Sequence, residues 1–189
     1  KELTSQAVGD ALSDANCVAS QVEAAWFANT SQGALEGQHM IRGQIALRAM
    51  GIGRIPVVNI ENACASGSSA LVLACNHVRA GAGDVALAIG AEKMFTPDKQ
   101  KMFSVFDSAW DLSRATDIRE ELMKLGRDVA VPEGSTSPRP YSVFMDVYAA
   151  FARSHMRTFG TTQRQLAAVS AKNHAHSVHN PLSQYQVSY

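Results

Sequence analysis

Three short apolar runs, separated by stretches of helical spacing, constrain the fold more than any other feature of this sequence. They are AAWFANT (residues 24–30), IPVVNI (residues 55–60) and VALAIG (residues 85–90). Continuous apolar runs of this length are typical of strands that are covered on both faces. Because helix and strand patterns alternate three times, we predict an α/β fold with a layered sheet.

A helical pattern precedes each run, and each helix has a predicted inward face. In the first helix, residues 1–16, this face contains Leu3, Ala7, Val8, Ala11, Leu12 and Ala15. In the second, residues 38–50, it contains Met40, Ile41, Ile45, Leu47 and Ala49. In the third, residues 67–80, it contains Ala70, Leu71, Ala74, Cys75 and Val78. These faces are expected to pack against the sheet.

The pattern changes at Lys93, after which charged residues become more frequent and strand-like runs end. The segment VPEGSTSPRP, residues 131–140, predicts a loop because it is rich in proline, serine and glycine. Helices are predicted around residues 117–124, at residues 141–159 and at residues 162–179. Thr162 is a favourable N-cap, and Asn180 with Pro181 ends the last helix. We expect this part of the chain to form an excursion outside the sheet.

Charge and composition exclude several kinds of protein. Seventeen basic and seventeen acidic residues give no net charge, so nucleic acid is not expected as the main partner. Arg79, Asp84 and Glu92 interrupt the most apolar section, and the sequence contains neither a membrane span nor a signal segment. Three cysteines are too few for a disulfide framework. A reducing compartment such as the cytoplasm is therefore expected.

Cys64 has the position of a nucleophile. It follows a predicted strand and stands at the start of a predicted helix, where unpaired N–H groups and the helix dipole favour the thiolate. In open α/β sheets, sites form beyond the carboxyl ends of strands. The neighbouring side chains are small and leave room for a substrate: Ala63, Ala65, Ser66 and Gly67.

A free cysteine can also be a small buried hydrophobe, and from position alone this alternative is as frequent as a nucleophile. It fits Cys75 better than Cys64, because Cys75 lies on the apolar face of the third helix. Cys17 follows the end of the first helix and is expected to be incidental.

Several segments carry a resemblance to a known family. VNIENACASGSSAL (residues 58–71) resembles the nucleophile segment of the thiolases, and AIGAEKM (residues 88–94) is similar to the strand and turn that follow it. FARSHMRTFGTT (residues 151–162) and KNHAHSVHNPLSQYQ (residues 172–186) are similar to segments of sterol carrier protein-type thiolases, some of which are lipid-transfer proteins.

The resemblance implies a thiolase fold, in which two similar halves form five layers and a loop domain is inserted in the first half. Residues 1–94 would be the first half without its first strand. Residues 95–189 would be the partly helical loop domain and the start of the return to the core. A homodimer formed through the nucleophile half is implied as well.

The implied reaction is cleavage of a 3-ketoacyl-CoA, or its formation, through a thioester on Cys64. Coenzyme A would be a substrate, and no tightly bound cofactor is expected. Thiolases also use a histidine, commonly in Gly-His-Pro, and a second cysteine. Neither has a matching motif here, so both are expected beyond Tyr189, and both ends of the sequence look cut.

Two alternatives remain. One is a non-catalytic or accessory thiolase-like lipid-transfer subunit, and the other is a carbon–carbon lyase acting on steroid side chains. The intact Cys64 argues against an inactive subunit, but a repurposed site stays open.

Three weaker patterns are discounted. His174, His176 and His179 form H-x-H-x-x-H, but no carboxylate or thiol nearby completes a tetrahedral set, so no metal is expected. The segment Gly81-Ala82-Gly83 precedes a strand and lacks a third glycine, which indicates a turn rather than a dinucleotide loop. The charged residues 119–127 fit either a solvated helix face or a contact to coenzyme A phosphates, and no residue is assigned to binding.

Overall fold

The computed structural model describes residues 1–131, 133–134 and 143–189. It divides the chain into two compact units, Lys1–Val105 and Phe106–Tyr189. The boundary predicted after Met94 lies within the first unit. Most of the predicted loop at residues 131–140, and the first two residues of the helix predicted at 141–159, lie outside the described residues.

The first unit is built on a parallel sheet of three strands in the order β2-β1-β3. The strands are β1 (Ala24–Ala28), β2 (Val57–Ile60) and β3 (Ala86–Gly90). Ala25 pairs with Val57 on one side and with Leu87 on the other, so β1 is central. The helices of this unit are α1 (Glu2–Asp14), α2 (Gln32–Glu36), α3 (Arg42–Arg48), α4 (Ser66–Arg79) and α5 (Lys99–Ser104). The predicted α/β fold is confirmed.

Alternate residues of β1 enter two separate cores, because successive side chains of a strand point to opposite faces. Ala25 and Phe27 pack with residues of α1 and α3, whereas Trp26 packs with Ala70 and Ala74 of α4. The sheet is therefore covered by helices on both faces. All five residues of β1 are buried, but Val58 of β2 is 43% exposed. Burial was predicted for all three strands; it is confirmed for β1 but is wrong for β2 and β3, which lie at the two edges and are only partly buried.

The predicted inward face of the second helix is confirmed at Leu47, which is buried, but is wrong at Met40 and Ile41. The helix α3 begins at Arg42, and Met40 and Ile41 before it are exposed. Its buried residues are Gly43, Ala46 and Leu47. A Cβ atom at Gly43 would lie 2.6 Å from the Cβ of Phe27, so only glycine lets α3 approach β1 this closely.

The helix α4 buries Ala70 and Ala74 as predicted, but the rest of its predicted inward face is exposed. Leu71, Cys75 and Val78 line an open cavity of about 530 Å³ together with residues of α1 and β3. Cys75 is therefore not buried in this chain, contrary to the prediction. Cys17 lines the same cavity.

The second unit is helical. Its helices are α6 (Ala115–Lys124), α7 (Val143–Phe159) and α8 (Gln163–Ser177). Across the two units, short 3₁₀ turns lie at Ala19–Gln21, Val105–Ser108 and Leu112–Arg114. Thr162 caps α8 as predicted, since its hydroxyl accepts from the Gln165 amide. Gly126 packs against the backbone of α7, where a Cβ would lie 2.7 Å from the Ser154 nitrogen. Among the described residues, no helix is long and apolar enough to cross a membrane.

Candidate functional site

Polar residues follow all three strands at the end of the sheet where the strands terminate. Residues 29–31 follow β1, residues 61–64 follow β2, and Glu92 lies two residues beyond β3. The strands are parallel, so their carboxyl ends lie together. Open α/β sheets bind ligands just beyond the carboxyl ends of their strands.

Cys64 lies in the loop between β2 and α4, with its side chain exposed. The first helical residue of α4 is Ser66 and its N-cap is Ala65, so Cys64 precedes the helix by two residues. The first amides of a helix have no partner inside the helix. The sequence-based position of Cys64, between a strand and a helix N-terminus, agrees with this geometry, and the thiol is accessible.

The residue before Cys64 has an unusual backbone conformation. Ala63 has a φ angle of +44°, which costs a residue with a Cβ atom about 1–2 kcal/mol. Its carbonyl oxygen accepts three hydrogen bonds, from the Ser66 hydroxyl at 2.7 Å, the Ser66 amide at 3.1 Å and the Thr30 hydroxyl at 3.2 Å. Its amide donates to Glu61 at 2.8 Å. The two peptide groups on either side of the Ala63 Cα are thus each held by hydrogen bonds.

The Ser66 hydroxyl joins the two loops. Ser66 is 5% exposed, and its oxygen accepts from the Asn62 amide at 2.8 Å. The Thr30 hydroxyl lies 3.1 Å away. A hydroxyl has one proton, and that of Ser66 goes to the Ala63 carbonyl. The Thr30 hydroxyl also has a single proton, which lies within reach of both the Ala63 carbonyl and the Ser66 oxygen and is shared between them.

Glu92 closes the loop after β1. Its carboxylate accepts from the Thr30 amide at 2.7 Å, from the Ser31 amide at 3.0 Å and from the Asn29 side chain at 3.0 Å, as well as from the Ser31 hydroxyl. Asn29 and Ser31 are 5% and 1% exposed, so their polar groups need such partners. Hydrogen bonds to a carboxylate are stronger than those between neutral groups.

Asn29 adds a second connection between β1 and β3. Its side-chain nitrogen donates to the Ala91 carbonyl at 2.6 Å, and its side-chain oxygen accepts from Arg42 at 2.7 Å and from the Gln32 amide at 3.1 Å. All hydrogen-bonding groups of this buried side chain have partners. The carboxyl ends of the three strands therefore form one connected set of hydrogen bonds.

This arrangement presents a thiol on a fixed loop but supplies no evident base. Among the described residues, no hydrogen bond joins a histidine to the Cys64 loop. An exposed thiol at the start of a helix is chemically able to act as a nucleophile once it is deprotonated.

The three histidines of the H-x-H-x-x-H pattern lie in α8 or just after it. His174 packs edge-on against Tyr189 and Tyr185, with ring centroids 4.8 Å and 5.9 Å apart. The helix α8 ends at Ser177, so His179 lies in the turn beyond it and shares no helix face with His176. In the described part of the chain, no three metal-ligating side chains come together. The charged residues of α6, Arg119 and Lys124 among them, are exposed.

Four members of the site were not predicted from the sequence, namely Asn29, Thr30, Ser31 and Glu92. A usable pattern was present, because each is polar and lies at the end of a predicted strand or within two residues after it. The hydrogen bonds that join these residues across β1 and β3, or to the Cys64 loop, link positions 33 to 63 residues apart along the chain, so no local pattern could have paired them.

Comparison with known proteins points to one family. The family model described as "Thiolase, N-terminal domain" matches residues 1–187. The chain is 32% identical to Non-specific lipid-transfer protein-like 2 of Caenorhabditis elegans, over 76% of the chain and 32% of that protein. It is 29% identical to Sterol carrier protein 2 of Bos taurus, over 100% of the chain and 31% of that protein. Acetyl-CoA acetyltransferase of Methanothermobacter thermautotrophicus is 32% identical, over 98% of the chain and 42% of that protein. The chain spans about a third of the length of the first two relatives.

Proposed function

The chain belongs to the thiolase family, within its N-terminal domain, and from this premise we propose that the full-length protein is an acyl-CoA acyltransferase with Cys64 as nucleophile. Family membership gives a general thiolase-type or lipid-transfer role. The finer proposal is supported by one observation above all. Cys64 is exposed on a loop whose preceding carbonyl is held by three donors, which fixes the backbone that carries the thiol.

The proposed reaction proceeds in two steps. The Cys64 thiolate attacks the 3-keto carbon of a 3-ketoacyl-CoA, so that a carbon–sulfur bond forms and the bond between C2 and C3 breaks. The electron pair passes to the leaving acetyl-CoA, which takes up a proton at C2. The acyl group then passes from Cys64 to the sulfur of free coenzyme A, whose proton is released. The acid and base of these steps are expected outside these 189 residues.

Trapping the intermediate tests this proposal. The full-length protein is incubated with acetyl-CoA and digested, and the peptide that contains Cys64 is analysed by mass spectrometry. We expect one acetyl group on Cys64, and a Cys75→Ala variant should acquire it equally. An acetyl group on another cysteine would refute the assignment of the nucleophile.

We also propose a homodimer. The strand β2 lies at the sheet edge, and Val58 on it is 43% exposed. An edge strand can pair with a second strand, and a two-fold axis would bring the same edge from both copies together. Light scattering of the full-length protein at micromolar concentration should give twice the monomer mass. A monomer would contradict this proposal.

A lipid-transfer role without catalysis is the second candidate, since relatives of the chain are named as sterol carrier and lipid-transfer proteins. Acyl-CoA binding without turnover by the wild-type protein would favour it. Turnover of a steroid side-chain thioester, but not of a straight-chain 3-ketoacyl-CoA, would favour the lyase. A location in the cytoplasm, or in peroxisomes of a eukaryote, suits all three roles.

A further inference from the structure

We propose that Thr30 and Glu92 are positioning residues that hold the Cys64 loop in its reactive conformation. This inference rests on the proposed role of Cys64 as nucleophile. Neither residue is on the same loop as Cys64. They act through one continuous path of hydrogen bonds that begins after β3, crosses the loop after β1 and ends at the peptide before Cys64.

The first step of the path runs from Glu92 to Thr30. The two carboxylate oxygens of Glu92 accept from the consecutive amides of Thr30 and Ser31, at 2.7 Å and 3.0 Å. Fixing two consecutive amides fixes the backbone between them. The Thr30 side chain is therefore presented in one direction, although Thr30 itself is only partly buried.

The second step runs from Thr30 to the peptide before Cys64. The Thr30 hydroxyl lies 3.2 Å from the Ala63 carbonyl oxygen and 3.1 Å from the Ser66 hydroxyl. It is the contact from the β1 side to this carbonyl, since the other two donors both belong to Ser66. Ser66 belongs to α4, so Thr30 is the donor that joins this carbonyl to the loop after β1.

The strained conformation of Ala63 explains why this hydrogen bond is needed. Left-handed conformations of residues with a Cβ atom persist when surrounding contacts over-determine them. If the Thr30 hydrogen bond is lost, Ala63 can relax toward a negative φ. This turns the peptide that follows Ala63 and moves the Cys64 sulfur away from its present direction. A misplacement of about 1 Å can cost about 100-fold in rate.

Glutamine at position 92 tests the carboxylate, because it has the same shape but a single acceptor oxygen. Whichever way its amide is turned, an NH₂ group faces a backbone N–H donor. Valine at position 30 removes the hydroxyl while keeping the branched shape, and serine restores the hydroxyl. The control is Glu23→Gln at the opposite end of the sheet, where one carboxylate oxygen accepts from two consecutive amides, so that the single amide oxygen of glutamine can keep both bonds.

The experiment measures the rate of Cys64 alkylation by iodoacetamide in the full-length variants, together with kcat, KM and Tm. We expect Glu92→Gln and Thr30→Val to slow alkylation of Cys64 about tenfold and to lower kcat with little change in KM. Thr30→Ser should recover most of the loss. Glu23→Gln should leave the alkylation rate and kcat within twofold of wild type.

Alkylation and kcat that stay within twofold in both Glu92→Gln and Thr30→Val would overturn the inference, and so would an equal loss in Glu23→Gln. A fall in Tm without a change in Cys64 alkylation would assign Thr30 and Glu92 a purely structural role and also overturn it. Failure of the proposed function is distinguishable, because the alkylation rate reports on the loop even if the protein has no acyltransferase activity.

Discussion

At each end of the sheet, a glutamate carboxylate accepts hydrogen bonds from the backbone of a neighbouring loop. The two ends differ in what that loop then contacts. At the amino end, Glu23 precedes β1 and accepts from the amides of Asp84 and Val85, just before β3. At the carboxyl end, Glu92 follows β3 and accepts from the amides of Thr30 and Ser31, just after β1. Each carboxylate thus joins the central strand to the same neighbour.

At the amino end, the hydrogen bonds to Glu23 hold the turn before β3. The turn is tight, since a Cβ atom at Gly83 would lie 3.0 Å from the His77 ring and 3.1 Å from the Glu23 carboxylate. At the carboxyl end the Thr30 side chain contacts a second loop, at the peptide before Cys64 and at Ser66. A carboxylate bound to two amides thus joins neighbouring strands of a parallel sheet at either end. The function of each end depends on what the bound loop then contacts.

The largest effect is expected from removing the thiol at the carboxyl end. Cys64→Ala in the full-length protein should reduce acyl transfer below about 1% of wild type, because the nucleophile is lost. The free energy of unfolding should change by about 1 kcal/mol or less, since the site is exposed. Steady-state assays and urea unfolding measure the two quantities. Activity above a few per cent would mean that another group carries the chemistry.

The second prediction concerns selectivity among the three thiols. Cys64 should react with iodoacetamide about tenfold faster than Cys75 and Cys17, as timed by mass spectrometry of peptides. Exposure alone predicts no such preference, because Cys75 is exposed in this chain as well. Faster labelling of Cys75 would show that the carboxyl end of the sheet does not activate its thiol.

The third prediction concerns the strain next to Cys64. Ala63→Gly should stabilise the protein by up to about 1 kcal/mol, because glycine adopts a positive φ without steric cost. Ala15→Gly is the matched control, since Ala15 is exposed with a φ of −76° and should instead be destabilised by this change, by about 0.5–1 kcal/mol. Equal effects in urea unfolding would mean that Ala63 is not strained.

The smallest effect is expected at Glu23. The amide hydrogen bonds from Val85 and then Asp84, with the nearby His77, hold the pKa of this carboxyl below its ordinary value of 4.5. The ionised form is favoured by folding, so its contribution to stability is present above pH 4.5 and is lost as the pH falls through the lower folded-state pKa. Glu23 is exposed, so solvent keeps the effect small.

Urea unfolding of wild type and Glu23→Gln at pH 7 and pH 3 measures this contribution. Other carboxyls, such as Asp111, whose pKa is lowered by hydrogen bonds from Ser113, titrate in the same range and cancel in the comparison. The two proteins should differ more at pH 7 than at pH 3. A difference that does not change with pH would show that ionised Glu23 does not stabilise the fold.

Local patterns in the sequence determined the elements and the candidate nucleophile. Continuous apolar runs identified β1, β2 and β3, because the need to cover a central strand on both faces appears directly in its composition. Thr162 identified the start of α8, because a cap is completed within four residues. Cys64 was found in the same way, from its place between a strand and a helix.

Tertiary structure alone decided which faces are covered and which loops meet. The helix α3 turns Gly43 toward Phe27 rather than Ile41, because the closest approach of the helix to the sheet requires a residue without a side chain. Leu71 and Cys75 are apolar but exposed in this chain, since burial depends on what packs against α4 and not on its periodicity. Glu92, Thr30 and Ala63 meet only because parallel strands bring their carboxyl ends together, and periodicity contains no information about residues 33 or 62 positions apart.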